Sequence, residues 1–157
     1  SMADLLLLFR VGQKRYALEA ISVVEVIPRV NLSPIHQPPP HVVGQFNYQG
    51  QLVPVLDLSQ CLGQQASRAV LSTRIVLVNL AKPSSEKKLL GLMVEQVTDT
   101  LRQDQATPIT ASVSLSRPAY LGQKLVYDQD IIQCLCINQL LSTDAYNHML
   151  TSLTINP

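Results

Sequence analysis

The sequence of 157 residues has no tryptophan, and only 15% of its residues are charged. Twelve Lys and Arg stand against eleven Asp and Glu, and they are scattered, without the basic stripe typical of nucleic-acid-binding proteins. The apolar run at residues 5–8 is too short for a signal-peptide core or a membrane span. So few charges favour contacts with other proteins, because exposed apolar patches tend to mark interaction sites.

Cysteine and glycine are also sparse. The three cysteines, Cys61, Cys134 and Cys136, are odd in number and form no CxxC pair, which argues against a disulfide framework or a zinc site. We therefore expect a reducing, cytoplasmic setting. The six glycines are spread singly, so the chain lacks the glycine-rich loops that cradle phosphate groups.

No combination of nucleophile, acid and base in the sequence predicts catalysis. There is no GxSxG elbow. His36 and His41 flank a run of prolines on a predicted irregular loop, and such a pair without accompanying Cys or acidic residues gives no metal geometry. We therefore predict that the protein is not an enzyme and holds neither a metal nor a cofactor. The proline-rich segment itself reads as a rigid connector, with a PxxP-type ligand as the alternative.

Short apolar segments separated by turn residues predict an all-β chain with minor helix, arranged as small barrels or a sandwich. Asp57 is placed to cap a short helix at residues 58–62. Pro54 lacks a backbone donor and is predicted to lie at a sheet edge or bulge. The predicted strands are paired in hairpins at 5–18, at 42–47 with 50–56, and at 120–127 with 131–136, with further strands at Val23–Pro28, 73–80, 88–94 and 97–101; residues 107–118 are predicted to be a loop.

Two distant segments resemble each other. Residues 53–62, VPVLDLSQCL, align with residues 132–141, IQCLCINQLL, with identities at Leu56/Leu135, Gln60/Gln139 and Leu62/Leu141. The shared strand-then-helix pattern predicts two related β lobes in one domain, 1–157. We expect the lobes at roughly 20–80 and 81–141, with the hairpin 5–18 packed on them and a C-terminal helix at 143–153.

Glu25 is an acid inside an apolar strand, between Val23-Val24 and Val26-Ile27. A carboxylate in such a place needs either water or a polar partner. It therefore lies on the solvent face of an edge strand or takes part in a specific polar contact.

Four segments together resemble the CheW family, the adaptor proteins of bacterial chemotaxis and related chemosensory arrays. The resemblance extends over about residues 5 to 145, and the block at 42–58 carries most of the specificity. The segments are FRVGQKRYALEAISVVEVI at 9–27, VVGQFNYQGQLVPVLDL at 42–58, LLGLMVEQVTDTL at 89–101 and IIQCLCINQLL at 131–141.

The resemblance implies two five-stranded, SH3-like β-barrels related by a pseudo-twofold, and no enzymatic activity. It implies an adaptor between the cytoplasmic tips of methyl-accepting chemoreceptors and the regulatory domain of a CheA-type histidine kinase, without nucleic-acid binding or membrane insertion. The alternative is a regulatory decoy that binds only one of these partners. Surface-sensing (Wsp-like) and pilus-linked systems are as compatible with the sequence as swimming chemotaxis.

The same resemblance implies a receptor-binding surface. It places Val23, Gly44, Phe46, Asn47 and Gln49 at the receptor-binding groove, and Glu25 in a polar pair with Gln49. Gln49 stands where the family carries Arg, and an uncharged amide cannot make the charge-assisted bond of a guanidinium. Apolar positions of the strands are expected to be buried, several of them between the lobes, namely Val55, Leu56, Ile75, Leu77, Leu92, Val94, Ile132 and Leu135.

Overall fold

The computed structural model describes residues 4–63, 65, 70–110, 117–142, 144–147 and 149. These residues form mostly β-strands, as the sequence predicts. The strands are β1 (Leu5–Val11), β2 (Lys14–Glu19), β3 (Val23–Pro28), β4 (Val42–Tyr48), β5 (Gln51–Asp57), β6 (Arg74–Asn79), β7 (Leu89–Val94), β8 (Gln96–Arg102), β9 (Thr107–Ile109), β10 (Leu121–Tyr127) and β11 (Asp130–Leu135). The helices are short: α1 (Leu58–Cys61) and 3₁₀ turns at Ala20–Ser22, Gln103–Gln105 and Ile137–Gln139.

The strands form two sheets. One has five strands in the order β3-β6-β7-β5-β4, and the other has six in the order β8-β1-β2-β11-β10-β9. Each sheet contains one parallel pair, β5 with β7 and β11 with β2, while the other pairs are antiparallel. The predicted all-β class with two SH3-like lobes is therefore confirmed, and the second lobe carries the additional short strand β9.

The two lobes exchange strands. The order β3-β6-β7-β5-β4 corresponds to β8-β1-β2-β11-β10, with the same parallel and antiparallel pairings at each step. Strands β1 to β5 and α1 thus repeat as β6 to β8, β10, β11 and the turn Ile137–Gln139. The repeat gives the lobes their approximate twofold relation, and it explains the similarity of residues 53–62 to 132–141, which are β5 with α1 and β11 with its turn.

The predicted lobe bounds differ from this arrangement. The hairpin β1–β2 is not packed on the lobes but lies in the middle of the six-stranded sheet, between β8 and β11. The chain passes from the five-stranded to the six-stranded sheet at Glu95, after β7, rather than near residue 80. The reason is the parallel pairing of β2 with β11, which joins strands more than a hundred residues apart and leaves no local trace in the sequence.

Alternation of side chains along the strands creates three apolar clusters. Ile75 and Leu77 point into the five-stranded lobe, whereas Val76 and Val78 point into a cluster shared by both lobes. Leu6 and Leu8 likewise fill the six-stranded lobe. All eight residues predicted to be buried are less than 7% exposed, and Leu56, Leu92, Val94 and Leu135 belong to the shared cluster.

Several local predictions are confirmed and others are wrong. Asp57 caps α1, since its Oδ1 accepts a hydrogen bond from the Ser59 amide at 3.0 Å. β5 is an interior strand, but its ladder with β7 begins only at Val55, so Pro54 is paired with β4 alone. The register of β4 with β5 also shifts between Val42 and Gly44, opposite the residues after Pro54. The predicted loop at 107–118 contains β9, which pairs with β10.

The C-terminal helix predicted at 143–153 is helical at residues 144–147 and 149, and the other positions of that range lie outside the described residues. The Tyr146 hydroxyl anchors this segment by donating to the Leu89 carbonyl of β7 at 2.9 Å. In the described part of the chain, no helix is long and apolar enough to cross a membrane.

Candidate functional site

The five-stranded sheet curls so that its two edge strands, β3 and β4, face each other. A side-chain hydrogen bond joins them: the Tyr48 hydroxyl donates to Oε2 of Glu25 at 2.7 Å. Both interpretations of Glu25 are thereby confirmed, because it is exposed on an edge strand and also makes a specific polar contact. The pKa of Tyr48 is raised, and the largest cause is this hydrogen bond to the Glu25 carboxylate. Desolvation and the negative charge of Glu25 raise it further, by less.

Tyr48 also connects the surface to the interior of the lobe. Its ring packs edge-on against Phe46, with ring centroids 6.4 Å apart, and it contacts the apolar cluster of the five-stranded lobe. The Glu25–Tyr48 bond is therefore held in place from below by a buried aromatic side chain.

Gln49 is not the partner of Glu25. It lies with Gly50 in the two-residue turn between β4 and β5, where φ is 51° at Gln49 and 87° at Gly50, as in a type I′ turn. Gln49 is exposed, and within the described residues its side chain makes no hydrogen bond to Glu25. The predicted Glu25–Gln49 pair does not form, and Glu25 pairs with Tyr48 instead. Tyr48 is the last residue of β4 and faces β3, whereas Gln49 lies beyond it in the turn.

Asn47 and Val23 lie at the same end of the lobe as this turn. Asn47 is exposed, and its Oδ1 accepts a hydrogen bond from the Gly50 amide at 2.8 Å, which stabilises the turn. Val23 is half-buried and packs against the shared apolar cluster. Ile21, two residues before Val23, is 90% exposed, and the sequence analysis missed it because a single Ile in a short turn gives no periodic signal.

Gly44 and Phe46 are buried, so the structure does not place them on the predicted groove surface. Phe46 is 8% exposed and belongs to the apolar cluster of its lobe. A Cβ atom on Gly44 would lie 2.8 Å from both Leu32 Cβ and the Ser33 carbonyl oxygen. The close approach that requires glycine here is thus to the chain's own loop, whose Ser33 pairs with Gln45 through two backbone hydrogen bonds of 2.8 and 2.9 Å.

The opposite end of the five-stranded lobe exposes a separate apolar group. Leu71 is 97% exposed, Val70 49% and Val30 38%, and Arg29 lies beside Val70 and Leu71. No pattern in the sequence marks this group, because isolated apolar residues near turns carry no periodic signal. We call Arg29, Val30, Val70 and Leu71 the Leu71 end, and Ile21, Val23, Glu25, Asn47 and Gln49 the Gln49 end.

The cysteines show no features of reactive sites. Cys61 and Cys134 are half-buried, and Cys136 is exposed. Burial raises the pKa of the Cys134 thiol to about 11, with smaller contributions from Cys136 and Glu19. Among the described residues, no group of three or more His, Cys, Asp and Glu side chains is arranged to hold a metal ion.

Comparisons with known proteins agree on one family. A model of the CheW-like domain matches residues 5–145. The chemotaxis protein CheW of Rhizobium meliloti is 29% identical over 111 residues, which cover 68% of this chain and 68% of that protein. The chemotaxis protein CheW of Klebsiella aerogenes is 23% identical over 146 residues, covering 88% and 85% of the two chains.

A solved structure has the same fold. The crystal structure of the scaffolding protein TtCheW from Thermoanaerobacter tengcongensis superposes with a TM-score of 0.75 and covers 92% of each chain. Its sequence is 22% identical, so it bears on the fold rather than on individual contacts.

Proposed function

The chain belongs to the CheW-like domain family, a family of chemotaxis adaptors, and we propose that it couples chemoreceptor tips to a CheA-type histidine kinase in a bacterial chemosensory array. In this role it acts in the cytoplasm, catalyses no reaction and needs no cofactor. Its task is to present two partners with separate surfaces that are held rigidly with respect to each other.

The observation that carries the proposal is the pair of exposed ends on the five-stranded lobe. Strand β3 begins at Val23, in the Gln49 end, and Pro28 at its other terminus pairs with Arg74, close to Leu71. The six residues of β3, from Val23 to Pro28, span about 17 Å. Two partners can therefore bind the same lobe without competing for the same residues.

The Gln49 end is the proposed receptor surface. It combines two apolar side chains, Ile21 and Val23, with the polar groups of Glu25, Asn47 and Gln49. Gly44 and Phe46 support this surface from below rather than touching a partner. An apolar centre with a polar rim is the usual composition of protein interfaces.

The Leu71 end is the proposed kinase surface. Leu71 is almost fully exposed and Val70 half exposed, and such apolar groups are seldom left in water without use. In the family, the kinase regulatory domain has the same fold and associates lobe to lobe through barrel ends, which suits an apolar barrel end of this kind.

The two ends allow a reciprocal experiment. Ile21→Ser and Leu71→Ser remove side chains of similar size that are 90% and 97% exposed, so neither substitution disturbs the core. We expect Ile21→Ser to weaken binding to an immobilised receptor-tip fragment, and Leu71→Ser to weaken binding to the kinase regulatory domain. Each variant is the control for the other, and a parent protein that bound neither partner would refute the adaptor.

Gln49 favours a second candidate, a decoy that binds only one partner. The family Arg brings a fixed positive charge to this turn, whereas Gln brings none, and charge patterns set partner choice more than raw affinity. A parent protein that bound the kinase domain but no receptor tip, or the reverse, would support the decoy.

A further inference from the structure

A cavity of about 810 Å³ opens on the six-stranded lobe, on the surface of strands β2, β11 and β10. It shares no residue with the Gln49 end or with the Leu71 end. Its walls include the rings of Tyr16 and Tyr120 and the side chain of Leu62, which follows α1. Its volume and mixed apolar and polar lining are typical of binding sites.

The cavity concentrates positive charge. Among the described residues, four Lys and Arg line it, namely Lys14, Arg15, Arg117 and Lys124. Of the eleven Asp and Glu, only Asp130 does. The protein as a whole is close to neutral, with a formal charge of +1, so this local excess of three positive charges is a property of the cavity. A concave surface of one sign attracts ligands of the opposite sign.

Arg117 is held in position for binding. One of its Nη atoms donates to Oε1 of Gln133 at 3.0 Å and also to the Gly122 carbonyl. Gln133 is itself fixed, because its Nε2 donates to the carbonyl oxygens of Gly122 at 2.9 Å and Cys134 at 2.7 Å. These bonds occupy one edge of the guanidinium, and a guanidinium carries five donors in all.

The guanidinium of Arg15 has hydrogen-bond donors that are not fully used. Its side chain is 16% exposed, and its Nη1 lies 3.5 Å from Oδ2 of Asp130, a long ion pair. Its Nε is buried and has no hydrogen-bond partner in the described part of the chain. A buried donor without a partner is unfavourable. This Nε is shielded from solvent, so a carboxylate from outside would meet the exposed part of the guanidinium.

The spacing of the charges distinguishes a peptide from a single small anion. Gln133 of β11 lies between Tyr16 of β2 and Lys124 of β10 in the sheet register. Lys14 and Lys124 are therefore on strands separated by one intervening strand, which sets their backbones about 10 Å apart. A single phosphate group can contact one or two of these side chains at a time, but it leaves most of the cavity of about 810 Å³ unfilled. An extended chain rises about 3.4 Å per residue, so its carboxylates can reach all four cations and its apolar side chains can fill the remaining space.

From these observations we infer that the cavity binds an extended, acidic segment of another protein. The carboxylates of the segment pair with Arg15, Arg117, Lys14 and Lys124, and its apolar side chains pack against Tyr120 and Leu62. This site gives the six-stranded lobe a partner of its own, and it does not depend on the identity of the partners proposed for the five-stranded lobe.

The test uses the full chain and a fluorescein-labelled octapeptide of alternating Glu and Leu, with binding followed by fluorescence anisotropy. The matched peptide carries Gln in place of every Glu. We expect saturable binding of the acidic peptide alone, weakening as salt screens the charges. Arg117→Gln and the double variant Lys14→Gln/Lys124→Gln should each lower the affinity about tenfold or more, as expected when hydrogen bonds to charged groups are lost.

The control is the double variant Lys87→Gln/Lys88→Gln, which removes the same charge from exposed lysines in the loop before β7, a strand of the other sheet. Lys14 and Lys124 are exposed, so their replacement leaves the fold intact even if Arg117→Gln does not. Equal loss in the control variant would show unspecific attraction and overturn the inference. So would absence of saturation, equal binding of the Gln peptide, or complete displacement by equimolar inorganic phosphate, which would indicate a small-anion site.

Discussion

Replacement of Gly44 by alanine tests whether this glycine serves the fold or a partner. Gly44 has φ of +153°, a conformation that side-chain-bearing residues rarely adopt, and its Cβ would lie 2.8 Å from the Ser33 carbonyl oxygen. That oxygen cannot retreat cheaply, because Ser33 is bound to Gln45 by two backbone hydrogen bonds. The substitution therefore combines a backbone strain with a steric overlap.

The magnitude follows from these two contributions. Holding a residue in a sparsely populated backbone region costs about 1–3 kcal/mol. Overpacking of a filled site costs about 1–3 kcal/mol more. The gain from a less flexible unfolded chain is only about 0.4–1 kcal/mol, so strain and overlap win. We expect Gly44→Ala to lower the free energy of unfolding by about 2–5 kcal/mol, a large part of the stability of a typical domain.

Gly50→Ala is the matched control. Gly50 also has positive φ, +87°, but a Cβ there would meet no atom within 4 Å. Only the backbone strain remains, about 1–2 kcal/mol. Urea unfolding followed by circular dichroism measures both variants, and at a slope of about 1.5 kcal/mol/M the Gly44→Ala midpoint should fall by more than about 1 M. If the two midpoints coincide, the argument from close approach to Ser33 is wrong. A Gly44 variant such as Gly44→Lys must therefore be compared with the parent protein at equal concentrations of folded protein when receptor binding is measured.

Three further predictions concern the core, alkaline stability and specificity. Leu77→Ala should lower the free energy of unfolding by about 2–5 kcal/mol in thermal melts, whereas exposed Leu71→Ala should change it by about 0.5 kcal/mol or less; equal melts would contradict the core assignment. Burial raises the pKa of Tyr146 from 10.0 to about 12, so the folded state favours the protonated phenol. The contribution of Tyr146 to the free energy of unfolding is therefore complete below pH 10 and is lost as pH rises to about 12. Tyr146→Phe should flatten that part of the stability profile, and an unchanged slope would exclude Tyr146 as its cause. Gln49→Arg should raise affinity for foreign receptor tips or kinase domains of ordinary chemotaxis systems, and unchanged affinities would remove Gln49 from the interface.

The sequence predicted the local elements well, because each rests on signals within a few residues. The turn at Gln49-Gly50, the cap at Asp57 and the alternation through Ile75 and Leu77 all come from neighbouring side chains and backbone preferences. The similarity of residues 53–62 to 132–141 carried further, since it anticipated two related lobes from three identities.

Signals within a few residues cannot predict the exchange of strands between the lobes. The parallel pairs β2–β11 and β5–β7 each join strands that are not neighbours in the chain, and their register depends on the whole assembly. The sequence holds one feature that fits the parallel pairs, although it is not distinctive. Ala17 of β2 and Gly91 of β7 occupy equivalent positions in the two pairs, and both residues are small. A Cβ on Gly91 would lie 2.9 Å from Ile75, which shows how closely this position is packed.

The prediction of the candidate site differs from the structure for another reason. Family position placed the predicted residues in and beside one edge of the lobe, but it could not distinguish which side chains face outward. Gly44 and Phe46 lie on the face of β4 that points into the lobe, whereas Asn47 points out, so a one-residue difference separates core from surface. For Glu25, strand adjacency suggested Gln49, yet the facing side chain is Tyr48, one residue earlier.

The exchange of partner at Glu25 has an electrostatic consequence. In the family pattern, an Arg at position 49 neutralises the acid, and the pair presents no net charge. Here the partner is the Tyr48 hydroxyl, a neutral donor, so it brings no positive charge to offset the carboxylate of the exposed Glu25. Among the described residues, neither of the two ion pairs involves Glu25. A partner that docks on this end must therefore supply a positive charge or leave the carboxylate in water, because burying it unpaired is strongly unfavourable. If the Gln49 end is the receptor surface, as we propose, we expect it to prefer receptor tips that carry such a charge over those that do not.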